Sequence, residues 1–386
     1  MGKQFILLIV KLAIVAAALT YLFSSGKLQL AQMSIRSGGW SWITAAALAI
    51  FGFLFVMQVR LWVLLRGAGV EIGMGKVVRI GFIGVFFNTT LLGGLGFLSL
   101  DAIRAGYLMA ECKRRSAVVG ATLLDRVVGL VGLIVIAIVS LQLGWGETVQ
   151  SDALRAFSMV LYSIFSALGL SVVLLALSVT KGRLWAFLSW CLLGGVCLAI
   201  SVWLDGRLVM AAGAIALPLL VAMLAPLVIP GRDTNRKIRE HFPMGRWICS
   251  LIDVLYGYRN RMATLVIAFG LSLCIHLLWV LSIYLVAKGI SLEVAPTFRQ
   301  VCFAGPPANA VTILPLPANG LGVGEAAFGG MLSFCVGPSG SPLGGGPAIY
   351  LSFRVLLTIL GLAGLPLYLV SSRRRNAAGS DNRAEV

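Results

Sequence analysis

The chain has 386 residues, of which 59% are hydrophobic and only 12% are charged, and its formal net charge is +17. This composition excludes a soluble globular protein, and the apolar runs are continuous rather than alternating, which argues against a β-barrel. No basic region is large enough for a nucleic-acid-binding domain, so the positive charge indicates orientation across a membrane. Seven scattered cysteines and two distant histidines form no ligand pattern, so we expect neither a metal nor another cofactor.

Runs of about 20 apolar residues, the length that crosses a bilayer, predict eight transmembrane helices. In chain order they lie at 5–23, 41–65, 116–143, 156–180, 184–204, 208–229, 262–288 and 347–371. The long polar stretch at 230–261 is basic and predicts a cytoplasmic connector at the membrane surface. Residues 1–372 are therefore predicted to form a single transmembrane domain, followed by a disordered cytoplasmic tail at 373–386.

Two further apolar stretches, at about 77–112 and 298–336, are interrupted in their middle by Gly, Pro or Asn. Each predicts a broken-helix hairpin that enters and leaves the membrane on one side. With both termini in the cytoplasm, this layout places most lysines and arginines on the cytoplasmic side, as the positive-inside rule requires. The predicted fold is an all-α polytopic membrane protein of the cell (inner) membrane, with about eight transmembrane helices and two oppositely oriented re-entrant hairpins.

The two interrupted stretches repeat one pattern: an asparagine, a Gly-Leu-Gly, an acidic residue, and then a span with an arginine near its middle. The first set is Asn88, Gly93, Gly94, Gly96, Asp101 and Arg126, and the second is Asn309, Gly320, Gly322, Gly324, Glu325 and Arg354. Matching breaks in two oppositely oriented halves are typical of an inverted repeat with a site near the membrane midplane. Because irregular backbone survives in a membrane only against protein or a watery cavity, the breaks predict a polar, anion-tolerant site.

Three motifs carry a resemblance to a known family. They are "FFN…GGLG…DAIR" at 86–104, "LLDRVVGL" at 123–130 and "LPLPANGLGVGEAAF" at 314–328. In this order they resemble the transmembrane, flippase-like domain of lysylphosphatidylglycerol synthases, which is also found alone in bacterial and archaeal membrane proteins. Members typically have a proline-glycine break in the first motif, where this chain has Leu92-Gly93. The resemblance implies movement of a lipid or lipid-linked headgroup between leaflets.

Arg126 and Arg354 lie near the middle of their spans, where a charge is costly and by default suggests function. An arginine can hold a lipid phosphate through two parallel hydrogen bonds, so both residues are predicted to bind the substrate. The alternative is a structural ion pair with a carboxylate such as Asp125, Asp101 or Glu325.

The other polar residues of the pattern have two interpretations each. Asp101 and Glu325 fall in the first turns of restarted helices, where the helix dipole favours a carboxylate. They are alternatively a counter-ion for a cationic headgroup or proton carriers. Asn88 and Asn309 are predicted to cap the broken helices or, alternatively, to contact the ligand.

Three further charged residues complete the prediction. Arg104 follows the first break and is included among the substrate-binding residues. Asp125 points about 100° away from the neighbouring Arg126 on a helix, so it is predicted to hold an adjacent helix in an ion pair. Arg60 is close enough to the end of its span to extend its charge to the membrane surface.

These residues favour a translocase that moves an anionic or phosphate-bearing lipid between leaflets. One alternative is a non-transporting partner of a lipid-modifying enzyme that is encoded separately. Another is a membrane enzyme acting on a lipid headgroup, although the sequence has no metal cluster, no Ser/His pair at useful spacing and no nucleotide loop. In such an enzyme Asp101, Glu325 and Asp125 would serve as acid and base. We therefore expect membrane lipids as partners, no nucleic acid, and no catalytic residues.

Overall fold

The computed structural model describes residues 33–91, 98–112, 114–148, 261–311, 320–335 and 342–371, together with residues 20 and 258. Within them the helices are α1 (Trp40–Gly67), α2 (Met74–Phe86), a π-helical turn (Phe87–Leu91), α3 (Leu98–Glu111), α4 (Arg115–Thr148), α5 (Met262–Gly289), α6 (Phe298–Val311), α7 (Val323–Leu332) and α8 (Gly346–Gly361). The described residues contain no strand beyond an isolated antiparallel bridge between Ile35 and Ile290. The all-α prediction is confirmed for this part of the chain.

Four of the described helices are long and apolar enough to cross a membrane. They are Trp40–Gly67, Arg115–Ala137, Ala263–Gly289 and Gly346–Ser371, the last being α8 with its continuation after a turn. They coincide with the predicted spans at 41–65, 116–143, 262–288 and 347–371. The other predicted spans, the connector at 230–261 and the tail at 373–386 lie outside the described residues, apart from residues 20, 258 and 261. The total of eight spans therefore stays a prediction.

The chain forms two compact units. The first holds α2, α3 and α6–α8, with α1 up to Trp62 and α5 from Cys274 onwards. The second holds the end of α1, all of α4 and the beginning of α5. In the second unit, the Ser272 hydroxyl of α5 donates a hydrogen bond to the Val128 carbonyl of α4 at 3.2 Å.

Both interrupted stretches form pairs of packed helices. Helices α2 and α3 run antiparallel, since Gly84 lies against Leu100 and Arg104 while Lys76 pairs with Glu111 at 2.9 Å at the other end. Helices α6 and α7 likewise pack on each other. The packing and antiparallel course of α2 and α3 agree with two helices on either side of the first break, and the re-entrant hairpins stay a prediction.

Candidate functional site

The second break ends at two glycines that an L-residue could not easily replace. Gly320 and Gly322 have φ angles of 72° and 83°, in the left-handed region where a Cβ atom is disfavoured. Gly322 is the N-cap of α7, and Gly324 is buried in the first turn of that helix. Asn309 lies before this break, in the last turn of α6, and its predicted role as a cap of a broken helix stays a prediction.

Glu325, in the first turn of α7, caps the N-terminus of that helix. Its side chain is fully buried, and its Oε2 accepts a hydrogen bond of 2.6 Å from the Gly322 N–H. A carboxylate in the first turn stabilises a helix because it satisfies an unpaired N–H and faces the positive end of the dipole. The prediction that an acid occupies the first turn after this break is confirmed.

Arg354, on α8, contacts both Gly320 at the break and the carboxylate of Glu325. Its Nε lies 3.1 Å from Glu325 Oε1, and its Nη2 donates to the Gly320 carbonyl at 3.4 Å. Its guanidinium carbon also lies 5.3 Å from the centre of the Tyr350 ring, a geometry in which the ring face attracts the cation. Only 16% of the Arg354 side chain is exposed. Arg354 therefore contacts both the backbone before α7, at Gly320, and the side chain of Glu325 in the first turn of α7.

Tyr350, which contacts Arg354, belongs to a cluster of aromatic rings. It stacks on Phe328 with ring centres 5.4 Å apart, and it contacts Phe353 at 5.9 Å and Trp279 at 6.2 Å. All four rings are buried, and the Glu325 side chain is itself 0% exposed. Charge–charge attraction is stronger where water is excluded, and a lone charge there is correspondingly costly.

A second polar cluster follows the first break. Arg104 is 1% exposed, its Nη2 donates to Gln58 Oε1 at 2.7 Å, and its Nη1 lies 3.5 Å from Asp101 Oδ1. Gln58 comes from α1, and it fits because Gly81 on α2 has no side chain at the point of contact. Asp101 is itself 9% exposed. The cluster ties α1, α2 and α3 together through buried charge.

Helix α8 contacts the second break and the π-helical turn that precedes the first. Arg354 contacts the second break, and seven residues later Gly361 lies against Thr89 in the π-helical turn that leads to the first break. Gly364 then lies against the Phe82 carbonyl and against the side chain of Phe86. Both glycines allow the closer approach of helix backbones that small residues permit in membranes. One helix and its continuation therefore contact the second break and the segment that leads to the first, within the first unit.

Several predicted residues lie elsewhere. Asp125 and Arg126 are on α4, in the second unit, where Asp125 is 2% exposed and Arg126 is half-buried. Asn88 is half-buried in the π-helical turn before the first break, and its predicted role as a cap or ligand contact stays a prediction. The predicted break residues Gly93, Gly94 and Gly96 lie outside the described residues.

Two polar residues of α1 were missed or misplaced by the sequence analysis. Gln58 is fully buried and was not predicted as part of the site. Arg60 is 6% exposed, so the prediction that its charge extends to the surface is wrong. They are the two polar residues in the apolar run from 45 to 65. A polar residue inside a span indicates a buried polar contact, so their position could have predicted that they belong to the protein interior.

Comparisons with known proteins place the chain in a family. No curated protein and no solved structure matches it. The sequence does match the family described as the lysylphosphatidylglycerol synthase TM region over residues 8–364, and its apolar helices make it a multi-pass membrane protein. The match covers far more than half of the chain and includes both breaks and all three motifs, so the protein belongs to the lysylphosphatidylglycerol synthase TM region family.

Proposed function

We propose that this protein is a translocase that moves a lipid or lipid-linked headgroup, anionic or phosphate-bearing, between membrane leaflets. The observation that carries the proposal is the buried Glu325–Arg354 pair at a glycine break. Membership of a family whose name refers to a lipid synthase also relates the chain to lipid headgroups. Membrane lipids are then its partners, and a lipid-modifying enzyme encoded separately would supply the substrate.

The chemistry of the pair suits a phosphate group. The planar guanidinium of Arg354 matches phosphate oxygens as well as it matches a carboxylate, so a headgroup phosphate can replace Glu325 as its partner. Glu325 compensates the arginine charge while no headgroup is bound, which avoids leaving an isolated charge in the protein interior. A substrate exchanged for an internal carboxylate meets a smaller electrostatic barrier than one that must enter an apolar core.

The proposal also retains the other predicted substrate-binding residues, each within its own unit. Asp101 and Arg104, buried after the first break, offer the same combination of a carboxylate and a guanidinium. Arg126 on α4 supplies a further positive charge. We propose no catalytic role for any of them, since translocation changes the position of the lipid and leaves its bonds intact.

We further propose that the two helix pairs are re-entrant hairpins of opposite orientation, related as an inverted repeat, in a cell-membrane protein with both termini in the cytoplasm. The support is the shared order of Asn, Gly-Leu-Gly and acid, together with the packing of α2 on α3 and of α6 on α7. Broken segments in corresponding places of two halves are the arrangement by which transporters build a central site.

Cysteine labelling tests the topology. In a background without the seven native cysteines, Leu95→Cys and Leu321→Cys should react with a membrane-impermeant thiol reagent from opposite sides. The reason is that oppositely oriented hairpins bring their breaks towards opposite faces. Intact cells and inverted vesicles give the two measurements. Labelling of both positions from one face would contradict the inverted repeat.

A vesicle assay tests the translocase. The reconstituted protein should move fluorescent phosphatidylglycerol between leaflets faster than empty vesicles do, and the lipid should be recovered chemically unchanged. Arg354→Lys and Arg126→Lys keep the charge but lose the planar fork, so each should slow movement about tenfold, the value of one charged hydrogen bond. Arg36→Lys makes the same change at an exposed residue before α1 and should leave the rate unchanged.

Other results identify the alternatives. Recovery of a lipid with an altered headgroup would replace the translocase with a membrane enzyme. Failure to move any anionic lipid under any imposed gradient, by a protein that remains folded, would favour a non-transporting partner of a lipid-modifying enzyme. Equal slowing by all three lysine variants would remove Arg354 and Arg126 from the proposed route.

A further inference from the structure

Four exposed arginines lie where three candidate spans end in the second unit. Arg66 is in the last turn of α1, Arg114 and Arg115 are at the start of α4, and Arg261 immediately precedes α5. We name these four residues the arginine cluster. The acidic residues next to these segments in sequence are Glu71, Glu111, which pairs with Lys76, and Asp125, which is buried. The four exposed guanidinium groups give this end of the unit its positive charge.

Hydrogen bonds hold two guanidinium groups of the cluster in place. Arg261 Nη1 donates to the carbonyls of Arg66 at 3.0 Å and of Gly67 at 3.1 Å. Arg114 Nη1 donates to the Gly69 carbonyl at 3.4 Å. Because these three carbonyls belong to the turn that ends α1, both guanidinium groups lie at the same helix terminus. Each bond uses only one terminal nitrogen, so further N–H donors of Arg114 and Arg261 remain available for a ligand.

The depth of the arginine cluster in the membrane follows from the ends of the spans that carry it. The candidate spans end at Gly67 and begin at Arg115 and at Ala263. A span ends where the hydrocarbon core meets the headgroups, so its terminal residues lie at the depth of lipid phosphates. Arginine side chains at that depth meet the phosphate of a neighbouring lipid without leaving the interface.

We propose that the arginine cluster is a binding site for the phosphate of an anionic phospholipid that stays at the membrane surface. The exposed guanidinium groups would bind the phosphodiester oxygens, and the excess of positive charge would select a negatively charged lipid over a zwitterionic one. This site involves neither break, and it does not depend on the proposed translocase.

Lipid retention measured by native mass spectrometry tests the site. The purified full-length protein is titrated with phosphatidylglycerol and, separately, with phosphatidylcholine. Wild type should retain phosphatidylglycerol preferentially. Arg114→Gln/Arg115→Gln removes two charges and should weaken phosphatidylglycerol binding about thirtyfold, since each basic residue near an anionic surface contributes a factor of about five. Phosphatidylcholine binding should hardly change.

A matched control removes the same charge elsewhere. Arg36 precedes the first residue of α1, whereas Arg66 is in the last turn of that 28-residue helix, and Arg299 is exposed near the start of α6. Arg36→Gln/Arg299→Gln should leave phosphatidylglycerol binding near the wild-type value. Arg114→Lys/Arg115→Lys, which keeps the charge, should still lose about fivefold because the planar fork is absent.

Three results would overturn the proposal. One is equal loss of phosphatidylglycerol in the control and cluster variants, which would indicate attraction by net charge alone. Another is wild-type binding by the cluster glutamine variant. The third is displacement of the lipid by soluble glycerol phosphate at similar concentration, which would make the cluster a site for a soluble phosphate. Should the glutamine variant fail to purify as a folded protein, the lysine variant decides by its loss or retention of phosphatidylglycerol.

Discussion

Glu325→Ala should lower the free energy of unfolding by about 3 kcal/mol, because it leaves the Arg354 charge buried without its carboxylate partner. It also removes the bond that closes the first turn of α7 at Gly322. Arg354 is 16% exposed and keeps its contacts with the Gly320 carbonyl and the Tyr350 ring. The loss therefore falls at the low end of the range for broken buried pairs. Unfolding in mixed detergent micelles, followed by SDS titration, measures it.

A double-mutant cycle separates the ion pair from the cavity that alanine leaves. Arg354→Ala should cost less in the Glu325→Ala background than in wild type, with a coupling energy above about 1 kcal/mol for a pair in direct contact. Glu293→Ala makes the same chemical change at an exposed position between α5 and α6 and should alter stability by no more than about 0.5 kcal/mol. A coupling energy near zero would mean that Glu325 and Arg354 stabilise the fold independently.

The sequence was sufficient for the features that depend on local composition. Four described spans coincide with their predicted positions because the length of an apolar run sets a membrane helix directly. The break before α7 was predictable because Gly320 and Gly322 adopt φ angles that favour glycine. An ion pair between Glu325 and Arg354 was among the alternatives, because a charge in a span needs a partner.

Contacts between distant segments were beyond this kind of prediction. The Gln58–Arg104 bond joins residues 46 apart, and it requires that Gly81 leave space on a third helix. Nothing in the periodicity of α1 indicates which helix will face Gln58. The contacts of α8 and its continuation with the segment before the first break were also missed, because the sequence analysis assigned each arginine-bearing span to the break that precedes it. Gly361 lies against Thr89, and Gly364 lies against Phe82 and Phe86.

Gly364→Ala should destabilise the protein by about 2 kcal/mol or more, the cost of forcing extra volume into a packed contact. The new methyl group would overlap the Phe82 carbonyl and lie 2.7 Å from the Phe86 Cβ. The Phe82 carbonyl belongs to the backbone of α2 and cannot rotate aside as a side chain can, so the continuation of α8 must move away from α2. That movement would also pull Gly361 from Thr89, in the turn before the first break.

Gly106→Ala is also a glycine-to-alanine change, but it should raise the stability of the protein. Gly106 is exposed in the middle of α3, and a Cβ atom there would meet nothing within 4 Å. Alanine should therefore stabilise the protein by up to about 1 kcal/mol through its higher helix propensity.

Unfolding of both variants in the same detergent compares their stabilities. If Gly364→Ala were as stable as Gly106→Ala, α8 would not be held against α2 at this point. Arg354 would then hold α8 to the second break alone. With the expected loss, one continuous span contacts both the second break, through Arg354, and the turn before the first break, through Gly361. These two residues are only about two turns apart.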